Sequence, residues 1–153
     1  MRGAGKSGNE VEKIRISEKN IGYCKACYAC KNNGVCAVKD DMSEILEKMH
    51  SADVIVLASP VYFYSIAAQL KALIDRCVSR YTEIRNKEFY YIVTAAENSI
   101  TAAERTIEDM RGFVDCIAGA QEKGIVYGVG AWDKGDIEGM PAMETAYEMG
   151  KNC

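Results

Sequence analysis

The chain has 153 residues, is 48% apolar and 27% charged, and carries a net charge of −3 at pH 7. That length suits one domain with a real hydrophobic core, so residues 1–153 are read as a single unit. The mild acidity and the lack of a basic stripe exclude nucleic acid as the expected partner. The longest apolar run, Val54 to Ala58, is too short to span a bilayer, and no apolar stretch follows Arg2 and Lys6 as in a signal peptide; the expected setting is the cytoplasm.

Along the chain, Gly3-Ala-Gly5-Lys6-Ser7 imitates the end of a phosphate-binding P-loop, but no strand precedes it and the first glycine of that motif has no place. It is read as the end of a helix and a turn. Val11 to Ile16 alternates apolar and polar residues and predicts a half-buried strand. A cysteine-rich loop over residues 22–39 follows. Asp41-Met-Ser-Glu44 has the form of a capping box opening a helix to about Met49. Val54 to Ala58 predicts a strand buried on both faces, broken by Ser59 to Ser65. Next comes a helix with Leu70, Leu73, Ile74 and Cys77 on its apolar stripe and Lys71, Asp75 and Arg76 outside it. Phe89 to Thr94 predicts another buried strand. Thr101 to Glu104 caps a helix whose stripe is Ala103, Ile107, Met110, Val114 and Ile117, with Cys116 also expected to face the core. Ile125 to Val129 reads as the next strand, and Pro141 as the first residue of a last helix.

Buried strands alternating with amphipathic helices predict an α/β fold, a three-layer doubly wound parallel sheet. In such sheets ligands sit beyond the carboxyl ends of the strands, here Ser59–Ser65, Thr94–Ser99 and Gly130–Gly139. His50, the only histidine, is expected to be solvated, and no nucleophile stands beside it to support hydrolysis.

Four of the seven cysteines, Cys24, Cys27, Cys30 and Cys36, fall in one short stretch. A disulfide framework does not suit an odd count in a reducing setting. A thioredoxin-type dithiol needs a single C-x-x-C on a helix N-terminus, and zinc usually takes two knuckles with a longer spacer. Three thiols at three-residue spacing, with Gly34 permitting a fourth to close, match ferredoxin-type runs. An iron–sulfur cluster, zinc and plain thiols all remain open on spacing alone.

The stretch SPVYFYSIAAQLKALIDR, residues 59–76, resembles the flavodoxin-like NAD(P)H-dependent FMN reductases. Together with the run Cys24 to Cys36 leading into Asp40-Asp41-Met42, and with residues 128–151, it is most similar to the iron–sulfur flavoprotein branch. The resemblance implies a flavodoxin-like fold and an FMN-dependent oxidoreductase with NAD(P)H or a ferredoxin-like protein as donor. It implies that Ser59, Pro60, Val61, Tyr62, Phe63, Tyr64 and Ser65 hold the flavin ring, bordered by Thr94, Ala95, Ala96, Glu97 and Asn98. It implies a [4Fe–4S] cluster on the four cysteines, and a homo-oligomer, dimer or tetramer. No catalytic acid or base is assigned. The alternative is a non-catalytic electron carrier or metal-binding module that uses the cysteine loop without flavin. The family's opening strand and glycine-, serine- and asparagine-containing phosphate loop have no match here. Residues 1–9 are therefore expected to be the tail of the first helix, the missing strand falling between Val11–Ile16 and Val54–Ala58.

Overall fold

The computed structural model describes residues 1–153. Its helices are α1 (Arg2–Lys6), α2 (Met42–Ser51), α3 (Ala68–Arg76), α4 (Ile100–Val114) and α5 (Pro141–Lys151). Its strands are β1 (Val54–Tyr62), β2 (Ser65–Ile66), β3 (Glu88–Ala95) and β4 (Gln121–Val129). They form one sheet in the order β2-β1-β3-β4. β1, β3 and β4 run parallel, with Pro60, Thr94 and Gly128 in register near their carboxyl ends. This is the expected doubly wound α/β arrangement. A register shift at Phe89/Tyr90 leaves Lys123 bulged out of the β3–β4 ladder.

One face of the sheet carries the main core. Ile55 and Leu57 of β1 and Phe89, Tyr91 and Val93 of β3 meet Met42, Ile45 and Leu46 of α2, Leu70 and Leu73 of α3, and the α4 stripe. The expected α4 stripe is buried throughout: Ala103, Ile107 and Met110 are wholly inaccessible, and Val114 and Ile117 nearly so. Phe113 adds an edge-to-face contact with Phe89 at 6.5 Å. On the other face α5 lies over β4, where a Cβ on Gly124 would meet the Met149 Cε at 2.7 Å. α1 packs on α5 at such short range that a Cβ on Gly3 would stand 2.1 Å from the Tyr147 carbonyl oxygen. Only glycine permits this approach.

Several expectations are corrected. Residues 11–15 do not form a strand; they run without a sheet partner into a short 3₁₀ turn over Ile16–Glu18. Alternation alone does not make a strand. A strand also needs a neighbour for its backbone groups, and residues 11–15 have none: β1 pairs only with β3 and, at Val61 and Tyr62, with β2. Ile14 and Ile16 still pack against the core, so the apolar half of the pattern is used.

β1 is buried on one face only. Ile55, Leu57 and Ser59 are inaccessible, while Val56 is 51% exposed, because α5 lies over β4 and α1 packs on α5 rather than on β1. β1 also continues to Tyr62, so Ser59–Ser65 is the end of a strand and a tight hairpin rather than a break. The capping box of α2 does not form. Asp41 Oδ2 accepts from the Asn20 N–H, Asp40 Oδ1 accepts from the Met42 N–H, and Glu44 pairs with Lys48. α4 begins at Ile100, before Thr101. Cys116 lies past the helix end and is exposed. Arg76, expected outside, is 2% exposed. His50 is half-buried, its Nε2 2.8 Å from the Glu83 carbonyl oxygen.

Candidate functional site

The carboxyl ends of β1 and β3 bring the two predicted flavin segments together. β1 turns back through Phe63 and Tyr64 into β2, with Tyr62 opposite Ser65 and Val61 opposite Ile66. Both turn residues are left-handed, at φ 51° and 63°. Two-residue hairpins need this to match strand twist, but normally place Asn and Gly there. Aromatic residues in this conformation are strained. They are also open to solvent: Tyr62 is 61%, Phe63 101% and Tyr64 50% exposed.

The hairpin is pinned from below. Ser65 Oγ donates to Asp109 Oδ2 on α4 at 2.6 Å. The inaccessible Ser59 hydroxyl accepts from the Ala67 N–H at 2.9 Å and donates to the Pro60 carbonyl. Ser59 is thus spent within the fold, anchoring the start of α3, while Pro60, Val61 and Ser65 are half-buried. Across the gap, Tyr64 Oη approaches Glu97 Oε2 at 3.4 Å. Thr94 is half-buried, Ala95 is buried, and Ala96, Glu97 and Asn98 are exposed. The loop after β4 closes on this segment: the Gly130 N–H donates to the Glu97 carbonyl and the Ala131 N–H to the Ala95 carbonyl. Gly130 has φ +82° and its open side faces Asn98.

The cysteine loop is a second, separate feature. Cys24 and Cys27 are exposed; Cys30 and Cys36 are half-buried. Ala26 and Tyr28 are left-handed at φ 50° and 57°, as is Gly34 at 70°. Gly34 turns the chain against Arg80. No three cysteine, histidine or acidic side chains stand together in an arrangement that would hold a metal ion. The donor set fits an iron–sulfur cluster in kind and number, four thiols on one loop. The fold brings them to one loop without gathering them.

What the fold does fix is the loop's base. Arg76 at the end of α3 is buried against Asp40, whose side chain is 3% exposed. The Arg76 Nη1 donates to Asp40 Oδ2 at 2.6 Å and to the Gly22 carbonyl at 2.8 Å; Nη2 donates to Asp40 Oδ1 at 3.0 Å and to the Val38 carbonyl at 3.2 Å. Burial alone would raise the Asp40 pKa, but the guanidinium and the amides of Gly22 and Met42 hold it below the usual carboxylate range. Sequence reasoning missed this pair, and also missed Asp109. The one signal for the pair was the position of Arg76, three residues after Leu73 and so beside the apolar stripe.

A parallel sheet with helices on both faces, and aromatic and polar residues at its carboxyl edge, defines a nucleotide- or flavin-binding α/β protein. The family model for NADPH-dependent FMN reductase matches residues 1–123, and the chain belongs to that family. An iron–sulfur flavoprotein of Methanosarcina thermophila is 44% identical over 96 residues, which is 63% of this chain and 46% of that protein. One from Methanocaldococcus jannaschii is 39% identical over 108 residues, 69% of this chain and 55% of that protein. The chain thus spans about half the length of these curated relatives. In structure it resembles an azoreductase from Bacillus anthracis, with a TM-score of 0.74 at 14% identity over 99% of this chain and 86% of the other. It also resembles an NAD(P)H:quinone oxidoreductase from Methanothermobacter marburgensis, with a TM-score of 0.62 at 16% identity over 99% and 83%. These likenesses fix the flavodoxin-like fold. No helix is long and apolar enough to cross a membrane.

Proposed function

We propose that the chain is the flavin-binding part of an FMN-dependent oxidoreductase of the iron–sulfur flavoprotein kind. The observation that carries this is the meeting of the 59–66 hairpin and the 94–98 segment at the carboxyl edge of the sheet, joined by Tyr64 and Glu97. Tyr62, Phe63 and Tyr64 present exposed flat faces to an isoalloxazine ring. Ala96, Glu97 and Asn98 supply exposed groups along its edge, and Ser59, Asp109 and Ser65 hold the hairpin in place. Flavin, when bound there, accepts a hydride from a reduced nicotinamide and passes electrons on. The protein's own part is to bind, orient and shield that ring.

Cys24, Cys27, Cys30 and Cys36 are the proposed ligands of a [4Fe–4S] cluster. The support is the four-thiol donor set on one loop and the name, iron–sulfur flavoprotein, of relatives 44% and 39% identical to this chain over the residues matched. The family match disfavours a flavin-free metal module.

The test uses the 153-residue chain without oxygen. FMN fluorescence should be quenched only at high flavin concentration, because the family's phosphate loop has no match in these residues, and added NADPH should bleach the bound flavin's visible band. After reconstitution, about four iron and four sulfide per chain are expected, and both lost in Cys30→Ser. A chain that neither quenches FMN nor accelerates its reduction overturns the flavin reading. One that takes up zinc, or no metal at all, overturns the cluster reading.

A further inference from the structure

We infer that Arg76 and Asp40 are the positioning residues of the cysteine loop: as a buried ion pair they clamp both of its ends to α3, in the wall of a cavity that Cys36 also lines. The inference deepens the cluster reading above and rests on it for the metal.

The clamp is visible in the hydrogen bonds. Gly22 and Val38, on either side of the four cysteines, both accept from the same guanidinium. Asp40 closes the ring from the other side, accepting from the Gly22 N–H at 2.8 Å and the Met42 N–H at 3.1 Å. One step further out, the Asn20 carbonyl accepts from the Asp41 N–H at 3.0 Å. The 15 residues from 23 to 37 therefore leave and re-enter the fold at one point. A Cβ at position 22 would stand 3.3 Å from Val38 Cγ1 and 3.5 Å from the Asp40 carboxylate, so the chain ends are packed closely here.

The Nη donors of Arg76 are saturated by the base of the loop. Four of its five N–H donors are engaged, and the fifth, on Nε, is buried without an acceptor. Cys36 and Arg76 line one cavity of about 510 Å³ with Asp40, Arg80 and Glu83. A buried ion pair of this kind stabilises little in itself, and an apolar pair of similar size commonly replaces it without loss of fold. Its place at the base of a loop carrying four thiols fits a role in placing those thiols rather than in stabilising the core. Groups that hold metal ligands from behind typically change metal affinity about 10- to 100-fold when removed.

The experiment compares the parent chain with Arg76→Lys and with the double variant Arg76→Met/Asp40→Leu, the latter removing the clamp without leaving a buried charge alone. Circular dichroism checks the fold of each. Amide exchange at Gly22 and Met42, read without metal, should quicken at least tenfold in the double variant while β3 stays protected. Iron affinity in the same variant should fall about 10- to 100-fold. In loaded protein the double variant should shift the cluster potential, because the oriented Arg76–Asp40 dipole at the base of the loop is removed while the net charge stays the same. Arg76→Lys should keep the parent potential while binding iron less tightly. Unchanged exchange at Gly22 overturns the clamp, and it does so whether or not the parent binds iron. Faster exchange with unchanged iron affinity or potential overturns the link to the cysteines. A parent that takes up no iron and sulfide removes the cluster reading and with it this inference's second half, leaving the exchange result to decide the first.

Discussion

Replacing Phe63-Tyr64 by Asn-Gly should make the protein more stable and a worse flavin binder. Both residues sit in the left-handed region, at φ 51° and 63°, which costs an L-residue roughly 1–2 kcal/mol each. Little burial is surrendered, since Phe63 is 101% and Tyr64 50% exposed. Among side-chain hydrogen bonds, the replacement removes the 3.4 Å approach of Tyr64 Oη to Glu97. Glycine returns about 0.5–1 kcal/mol of the gain through the freedom of the unfolded chain. Asn-Gly is the preferred pair for this turn, so a net stabilisation of about 1–2 kcal/mol is expected. For a chain of this size that is a rise in melting temperature of about 2 to 8 °C, read by circular dichroism and by urea titration. The same variant should bind FMN roughly 2- to 13-fold more weakly, the equivalent of removing one aromatic pairing of about 0.5–1.5 kcal/mol. A stability that falls or stays level would show that the turn is not strained. A gain in stability with undiminished FMN affinity would remove the aromatics from the flavin site.

Ile107→Ala, at a wholly inaccessible position on α4, should cost about 2–5 kcal/mol in urea unfolding; a cost under about 1 kcal/mol would mean that the site collapses without a cavity. Arg111 holds the Glu122 carboxyl below its ordinary 4.5, against a small opposing effect of burial. Its contribution is therefore present above pH 4.5 and lost as pH falls through the lower folded value. Glu122→Gln should flatten the acid limb of the urea midpoint between about pH 3 and 5, by less than about 1 kcal/mol for so exposed a pair; an unaltered limb would show that the pair contributes nothing. Burial pushes the Cys77 thiol up to about 12, so a thiol reagent at about pH 8 should label Cys24, Cys27 and Cys116 in the native protein and spare Cys77. Labelling of Cys77 at the rate of Cys116 would show that α3 opens readily.

The sheet was legible because burial and period agree there. Phe89 to Thr94 and the stripe from Ala103 to Ile117 are apolar wherever the fold needs them to be, and they pack as read. Val11 to Ile16 misled because period reports which side chains face the core and says nothing of a hydrogen-bonding neighbour. Val56 misled in the opposite sense: a β-branched run predicts burial on both faces, but only the sheet's overall cover decides it, and α5 lies over β4 instead. The hairpin was hidden because its turn uses Phe and Tyr where turn chemistry favours Asn and Gly. Arg76 was hidden because a charged residue at a helix end reads as solvated until its partner, 36 residues earlier, is known.

The last two of these misreadings, the hairpin and Arg76, fall at the ends of one element. α3 begins where the Ala67 N–H meets the Ser59 hydroxyl under the hairpin, and it ends where Arg76 grips the base of the cysteine loop. Its nine residues span about 14 Å at 1.5 Å per residue. Leu70 and Leu73, both nearly inaccessible, fix it against the sheet between those ends. The flavin hairpin and the cysteine loop are thus held by opposite ends of one rigid rod rather than by two independent loops. Rotamer and loop motions at either site leave their anchors in place, because moving an anchor means sliding a packed helix across a close-packed core. On the proposed reading the hairpin borders a flavin and the loop carries a cluster, and electron exchange between two such groups needs a constant separation. A short helix with a polar anchor at each end supplies it, and that is the structural reason to read residues 59–76 as one functional unit.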